Sequence, residues 1–267
     1  MLRRVLHSLG VLFCGVSAMA VPAAREAPNL SAAAANQLVV AGNACGPAAL
    51  LNAFRCGNPA WQRAADAVGG ANDKERILTI IREIGMRPSK QTPARPRWSR
   101  RGVSVADLRD MADEMARGLF LPPVSEEVFF LTPRETPEKL LRRVHQRLDT
   151  SLAKGLPPVL SLRRYVLRRQ PGKAAQWVVI DAHFVTLTVM PRTLEKNARS
   201  FSVSYIDPWG AKRCQGTLGI SGRSVLANAA GDSSCLEADF PHAAVGNHLV
   251  ARGEETVLAV AAAIGRW

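Results

Sequence analysis

The sequence predicts an α+β fold in which a helical first half is followed by a half built of antiparallel strands. Up to about residue 155, apolar residues recur every three or four positions between helix start and stop signals. From about residue 156, they alternate in segments rich in β-branched residues. No internal repeat is visible. We therefore expect a helical part at about 37–155 and a sheet part at about 156–267.

The chain opens with a pattern typical of a secretory signal peptide. Arg3 and Arg4 precede an apolar run, and Ala18-Met19-Ala20 forms an A-x-A cleavage site. The run has about a dozen residues, whereas a membrane-spanning helix needs roughly twenty. We predict removal of residues 1–20, a secreted or periplasmic location, and one mature domain at 21–267 without an integral membrane segment.

Composition indicates a folded domain without a nucleic-acid partner. Apolar residues make up 47% of the chain, which argues against disorder. The formal charge is +13, and removal of Arg3 and Arg4 leaves +11. The arginines are scattered, which favours a compositional bias over a binding patch. The densest cluster, RPRWSRRG at 95–102, is predicted to be a solvated loop.

Three segments in the first half carry helix signals in addition to the segment that begins near Cys45. Ser104, in a capping box, and Thr136, followed by a proline, are predicted N-caps, and Gly85 and Gly155 are predicted stops. The segments are DKERILTIIREIG (73–85), SVADLRDMADEMARG (104–118) and TPEKLLRRVHQRLDTSLAKG (136–155).

The second half is predicted to consist of strands. Loop-like composition is found at 91–102 in the first half and at 216–234 in the second. The predicted strands are PPVLSLRRYVL (157–167), QWVVIDAHFVTLTVM (176–190), SFSVSYIDP (200–208), EADF (237–240) and HLVARG (248–253).

Four cysteines remain after the predicted cleavage. If the segment after Cys45 is helical, Cys45 and Cys56 are about 16 Å apart and cannot form a disulfide. Cys56, at the helix end, is predicted to be a buried thiol. Cys214 and Cys235 flank a Gly/Ser/Asn-rich segment, and the predicted export permits a disulfide between them.

Cys45, in AGNACGPAALLNAF, is predicted to lie at the start of a helix because a turn signal precedes it and Pro47 fits the first turn. There the helix dipole and free backbone N–H groups favour a thiolate. The same N–H groups are able to hold a developing oxyanion. On this stretch alone, a nucleophile and a structural cysteine remain equal alternatives.

A nucleophilic thiol needs a base and an orienting group. If 176–190 and 201–207 pair as a hairpin, Leu187 faces Val203 and His183 faces Asp207, all on one sheet face. Alone, His183 is more often a core histidine and Asp207 an Asp-Pro turn residue. Asp181, two residues before His183 on the same strand, is the rival orienting group.

The ordered segments NACGPAALLNA, GVSVADLRDMADE, PPVLSLR, AHFVTLTV and YIDPWG resemble the bacteriocin-processing C39 peptidases and their stand-alone relatives in the papain-like superfamily. The resemblance implies a papain-like fold and a peptide or protein substrate. It also implies that Cys45 is the nucleophile, His183 the general base and acid, and Asp207 the orienting carboxylate.

The resemblance leaves some features open. Val39 stands where relatives usually place an oxyanion-binding glutamine, so Gln37 is our candidate oxyanion donor and Asn43 the alternative. A phytochelatin-synthase-like enzyme acting on γ-glutamyl peptides, and a degenerate module that binds without cleaving, are the competing functions. No metal or organic cofactor is predicted, because His242 and His248 stand without a metal-binding motif.

Overall fold

The protein was analysed as a computed structural model that describes residues 23–267, except residues 170, 171, 173, 174, 229, 230, 247, 249, 251 and 252. The predicted signal peptide at 1–20 lies outside the described residues. Within these ranges the fold is α+β, as predicted, with five α-helices and a large antiparallel sheet. The helices are α1 (Cys45–Arg55), α2 (Pro59–Asp66), α3 (Asp73–Thr79), α4 (Val105–Arg117) and α5 (Pro137–Ala153). The strands are β1 (Ala24–Glu26), β2 (Trp98–Ser99), β3 (Gly102–Val103), β4 (Ser125–Val128), β5 (Val159–Arg168), β6 (Gln176–Pro191), β7 (Ser200–Asp207), β8 (Lys212–Asn228), β9 (Gly231–Asp239) and β10 (Thr256–Gly265).

Side-chain caps define where several helices begin. Ser104 caps α4 and Thr136 caps α5, each through an oxygen that accepts the backbone N–H three residues later. Both caps were predicted, as was the left-handed Gly155 after α5, which has a φ of +82°. The sequence prediction missed α2, although Asn58 caps it and a proline occupies its first turn.

The segment predicted as one helix at 73–85 changes form halfway along. α3 ends at Thr79 and continues as a π-helix at Ile80–Gly85. There the Met86 N–H donates to the Ile81 carbonyl, five residues earlier, at 2.8 Å. The predicted stop at the glycine is confirmed.

The large sheet has eight strands in the order β1-β6-β5-β10-β9-β8-β7, with β4 added on β10. Every pairing is antiparallel. β6 also pairs with β7, so the path of hydrogen-bonded strands returns on itself. This connection brings the end of β7 next to the middle of β6, where His183 lies.

Several strand predictions are wrong. The range 216–234, predicted as a loop, forms most of a long β8–β9 ladder. β10 was missed because its Ala/Val-rich run does not alternate, and it is buried between β5 and β9. The predicted strand at 248–253 falls partly outside the described residues, and its described residues are not in a strand.

Two hydrophobic clusters form the core. The first joins α1, α2, the α3 segment and α4 to side chains of the sheet, including Val159 and Phe184. The second packs α5 against the sheet. Cys45 belongs to the first cluster and lies where helices and sheet meet. In the described ranges, no helix is long and apolar enough to span a membrane.

The cysteines do not pair as predicted. Cys235 lies on β9 next to Leu236, and Leu236 pairs with Ile220 on β8. Cys214 lies on β8 six residues before Ile220. That spacing is about 20 Å along a strand, far beyond the roughly 7 Å that a disulfide tolerates. All four cysteines of the described residues are free thiols, and Cys56 is buried as predicted.

Candidate active site

Cys45 is the first residue of α1, as the sequence predicted. Its N-cap is Ala44, and no side chain caps the helix. The N–H groups of the first turn are therefore not consumed by a cap. α1 is almost fully buried, and Thr186 on β6 donates a hydrogen bond from its hydroxyl to the Ala49 carbonyl at 2.8 Å. This bond ties the helix to the strand that carries His183.

The structure brings His183 and Asp207 together, with His183 Nε2 2.7 Å from Asp207 Oδ1. The predicted register, however, is wrong by two residues, because Leu187 pairs with Tyr205 and not with Val203. A bulge just beyond Leu187 and the loop after β6 set this register. A shift of two residues preserves the face on which each side chain lies. Asp207 is therefore diagonal to His183 instead of directly opposite, still within reach of an imidazole.

Asp207 is completely buried and its two oxygens accept three hydrogen bonds. Oδ1 accepts from His183 and from the Trp209 N–H, and Oδ2 accepts from the Ala244 N–H, both backbone bonds at 2.8 Å. Burial raises the pKa of Asp207, but His183 and the backbone donors outweigh it and hold the pKa below its usual range. The carboxylate is thus kept charged and fixed in orientation.

His183 is buried and contacts both neighbours of the predicted triad. Burial lowers the pKa of the imidazole, yet hydrogen bonds to Asp207 and Cys45, and the charges of both, raise it to about 9. Because Nε2 faces the carboxylate, Nδ1 is the ring nitrogen left for Cys45. The arrangement favours an imidazolium beside the buried carboxylate at neutral pH.

The segment that carries Gln37 is bonded to the loop that follows Asp207. The Gln37 N–H donates to the Pro208 carbonyl at 2.8 Å, and the Asn36 side chain accepts from the Gly210 N–H at 3.1 Å. Gln37 is 3% exposed, and its Oε1 is buried without a partner among the described residues. The side-chain oxygen of Gln37 is therefore not held by the hydrogen-bond network around it.

These residues line a narrow cavity of about 170 Å³. Trp209, one of the lining residues, is 44% exposed. Ala182, Ala244 and Gly246 also line the cavity and contribute little side-chain volume to it. The lining residues are Gln37, Asn43, Cys45, Ala182, His183, Trp209, Ala244 and Gly246. Both oxyanion candidates, Gln37 and Asn43, thus border the cavity.

Asp181, the rival orienting group, has a different partner. Its Oδ1 lies 2.6 Å from Nδ1 of His248, an exposed side chain. Gly246 packs so closely on Asp181 that an added Cβ would lie 1.8 Å from the carboxyl group. Among the described residues, no group of three or more His, Cys, Asp or Glu side chains has an arrangement that could hold a metal ion.

Sequence reasoning missed three groups that hold the site together. Asn36 and the backbone N–H groups of Trp209 and Ala244 fix the carboxylate and the glutamine segment. The Trp209 contact had a signal, because an aspartate before proline commonly accepts the N–H two residues later. The Ala244 contact had none, since residue 244 is 37 positions from Asp207.

In chemical terms, the site combines a thiol at an uncapped helix start, an imidazolium and a buried carboxylate around one small cavity. Such a set is suited to attack on a carbonyl carbon and to proton transfer to a leaving group. Comparisons of the chain with protein-family models, with curated proteins and with solved structures each returned no match, so its chemistry is argued from this geometry.

Proposed function

We propose that the protein is an exported, thiol-dependent peptidase of papain-like fold that hydrolyses amide bonds through Cys45, His183 and Asp207. The surroundings of His183 carry the proposal: its Nε2 lies 2.7 Å from a buried carboxylate, and the ring borders the same small cavity as a thiol at a helix start. A structural histidine needs one hydrogen-bond partner, whereas a relay between nucleophile and orienting group needs these two.

In the proposed reaction, the Cys45 thiolate attacks the substrate carbonyl carbon, and the carbonyl electron pair moves onto oxygen. The intermediate collapses, the C–N bond breaks, and His183 gives its proton to the departing amine. Water then attacks the thioester while His183 takes one of its protons. Release of the acid restores the thiolate, and Asp207 stabilises the imidazolium present at the start and end of the cycle.

We assign oxyanion stabilisation to the free N–H groups at the start of α1 together with the side chain of Gln37. Pro47 has no N–H, so the donors of the first turn are those of Cys45 and Gly46. Gln37 borders the same cavity with an amide oxygen that has no internal partner. Its amide nitrogen is the group that would complete the donor set.

Replacing Gln37 by alanine is expected to lower kcat roughly 10- to 1000-fold with little change in KM, because an oxyanion donor acts mainly in the transition state. The matched control is Leu38→Ala in the same 3₁₀ turn, since Leu38 is 51% exposed and does not line the cavity. Equal kcat values for the two variants would remove Gln37 from the proposed mechanism.

Alkylation of the native protein tests the nucleophile directly. Cys45 and Cys214 are equally buried, at 8% and 9% exposure, so access alone does not separate them. Burial, followed by the charge of Asp207, raises the pKa of Cys214. With iodoacetamide at pH 6, we expect Cys45 to react about 100-fold faster than Cys214, because an ordinary thiol is almost fully protonated there.

The His183→Ala variant is the control for that experiment. Without the imidazolium, Cys45 loses the positive group that favours its thiolate, and the rate at Cys45 is expected to approach the rate at Cys214. Peptide mapping by mass spectrometry reads both sites in one sample. Equal rates at the two cysteines in the wild-type protein would contradict the proposed activity.

A further inference from the structure

The two-stranded β2–β3 hairpin lies against the turn that precedes Cys45. Trp98 donates from Nε1 to the Asn43 carbonyl at 3.0 Å. A Cβ added to Gly42 would lie 3.8 Å from the Arg100 Cα, and one added to Gly46 would lie 2.5 Å from Val103. The glycines on both sides of the nucleophile thus permit close contact. The hairpin tip, Arg100 and Arg101, therefore stands beside the cleft.

The arginines of this segment fall into two groups. Arg95 and Arg97 are held by α4, the first through Asp107 at 3.2 Å and the second through Glu114, and Arg97 is buried. Arg100 and Arg101 are exposed, and neither forms an ion pair or side-chain hydrogen bond within the described part of the chain. The predicted solvated loop is thus an anchored hairpin with two uncompensated charges at its tip.

The two carboxylates near the cleft already have hydrogen-bond partners. Asp207 is bonded to His183, and Asp181 to His248. The guanidinium groups of Arg100 and Arg101 have no ion-pair partner among the described residues, and their charge at this edge of the cleft favours an anionic ligand. A guanidinium at an exposed edge binds carboxylates well because its planar donors match their geometry.

We propose that Arg100 and Arg101 form a subsite that selects substrates with an acidic residue next to the scissile bond, on the Asn43 side of the cleft. This subsite rests on the proposed function, since it assumes that the cleft binds a chain to be cut. It adds a class of substrate, acidic peptides, and two specificity-determining residues.

A pair of alkylating agents tests the positive field without a known substrate. Iodoacetate and iodoacetamide transfer similar small groups to a thiolate, but only iodoacetate is an anion. At pH 7 and low salt, the ratio of their rates at Cys45 is expected to fall about three- to tenfold in Arg100→Ala/Arg101→Ala. The effect is expected to shrink in 0.5 M NaCl, which screens exposed charges.

The control is Arg192→Ala/Lys196→Ala, which removes the same charge from the loop beyond the far end of β6, about 30 Å from His183. Its rate ratio is expected to equal that of the wild type. An unchanged ratio in the hairpin variant would overturn the subsite. The rate with iodoacetamide alone tests whether Cys45 is a nucleophile, whereas the ratio of the two rates tests the subsite. The two proposals can therefore fail independently.

A peptide library extends the test to substrates. Wild-type protein is expected to enrich Asp and Glu near the cleaved bond, and Arg100→Glu/Arg101→Glu to abolish that enrichment while cutting other peptides. The carboxylate that binds the arginines could belong to an Asp or Glu side chain or to the C-terminus of the peptide. C-terminally amidated peptides distinguish the two, because they retain only the side-chain carboxylates. Enrichment that survives charge reversal would contradict the proposal, and absence of any cleavage would contradict the proposed function instead.

Discussion

Replacing Cys45 by alanine is expected to abolish peptide hydrolysis while the protein remains folded. Among the described residues that line the cavity, no other side chain carries a nucleophilic sulfur or hydroxyl that could take over the attack on the carbonyl. The fold is expected to survive because alanine favours helix and the change removes a single sulfur atom, at a cost of about 1 kcal/mol. Hydrolysis is followed on a peptide library, and the unfolding free energy by denaturant titration.

Cys56→Ala is the matched control, since it also removes a buried thiol, at the other end of the same helix. Burial raises the pKa of Cys56, so this thiol is kept protonated and is not expected to act as a nucleophile. The control is expected to keep full activity at a similar loss of stability. Hydrolysis that persists in Cys45→Ala would refute the proposed role of Cys45, whereas absence of hydrolysis in the wild-type protein would favour a binding module.

Replacing Asp207 by asparagine is expected to lower kcat/KM by roughly 10²- to 10⁴-fold, because the carboxylate stabilises the imidazolium and fixes the tautomer of the neutral imidazole. Asp181→Asn is the control, since it alters a second carboxylate–histidine pair, whose buried carboxylate lies on the same strand as His183. A similar loss of activity in both variants would show that general damage to the sheet, and not the contact with His183, is responsible.

The pH dependence provides a second measurement on the same variant. The pKa of His183 is raised to about 9, so wild-type activity is expected to fall as the imidazolium loses its proton near pH 9. Burial lowers the pKa of His183, and Asp207 opposes this effect. Without the carboxylate, the pKa of His183 is therefore expected to be lower. The alkaline limb of the pH profile of Asp207→Asn is therefore expected to move to lower pH.

The free energy of unfolding is also expected to fall as the pH rises through the pKa of His183. The folded-state pKa of His183 lies above the unfolded value of about 6.5, so its contribution is complete below that value and is lost between about pH 6.5 and pH 9. The full contribution is on the order of 3 kcal/mol. The stability difference between wild type and Asp207→Asn is thus expected to be largest near pH 6, and an equal difference at pH 6 and pH 10 would contradict it.

Local patterns predicted the parts of the fold that local physics determines. The caps at Ser104 and Thr136, the glycine after α5 and the helix start at Cys45 depend on a few neighbouring residues. Strand β10 was missed because its burial on both faces, not its sequence pattern, makes it a strand.

The sequence predicted that His183 and Asp207 lie together, but not the register of their strands. His183 and Asp207 were placed on one sheet face because alternate residues of a strand point to the same face. A register shift of two residues leaves each side chain on the same face. Which residues pair depends on the bulge beyond Leu187, for which the sequence carries no signal that we recognise. The position of Arg100 and Arg101 beside Cys45 depends on tertiary contacts of Trp98 and Val103, and those contacts are equally invisible in the sequence.

The backbone donor at Ala244 has a consequence for when the proposed active site is complete. Ribosomes make the chain from its N-terminus, so Cys45 exists long before His183, Asp207 and the N–H that immobilises the carboxylate. The proposed triad therefore forms only after residue 244 has been made, 199 residues after Cys45.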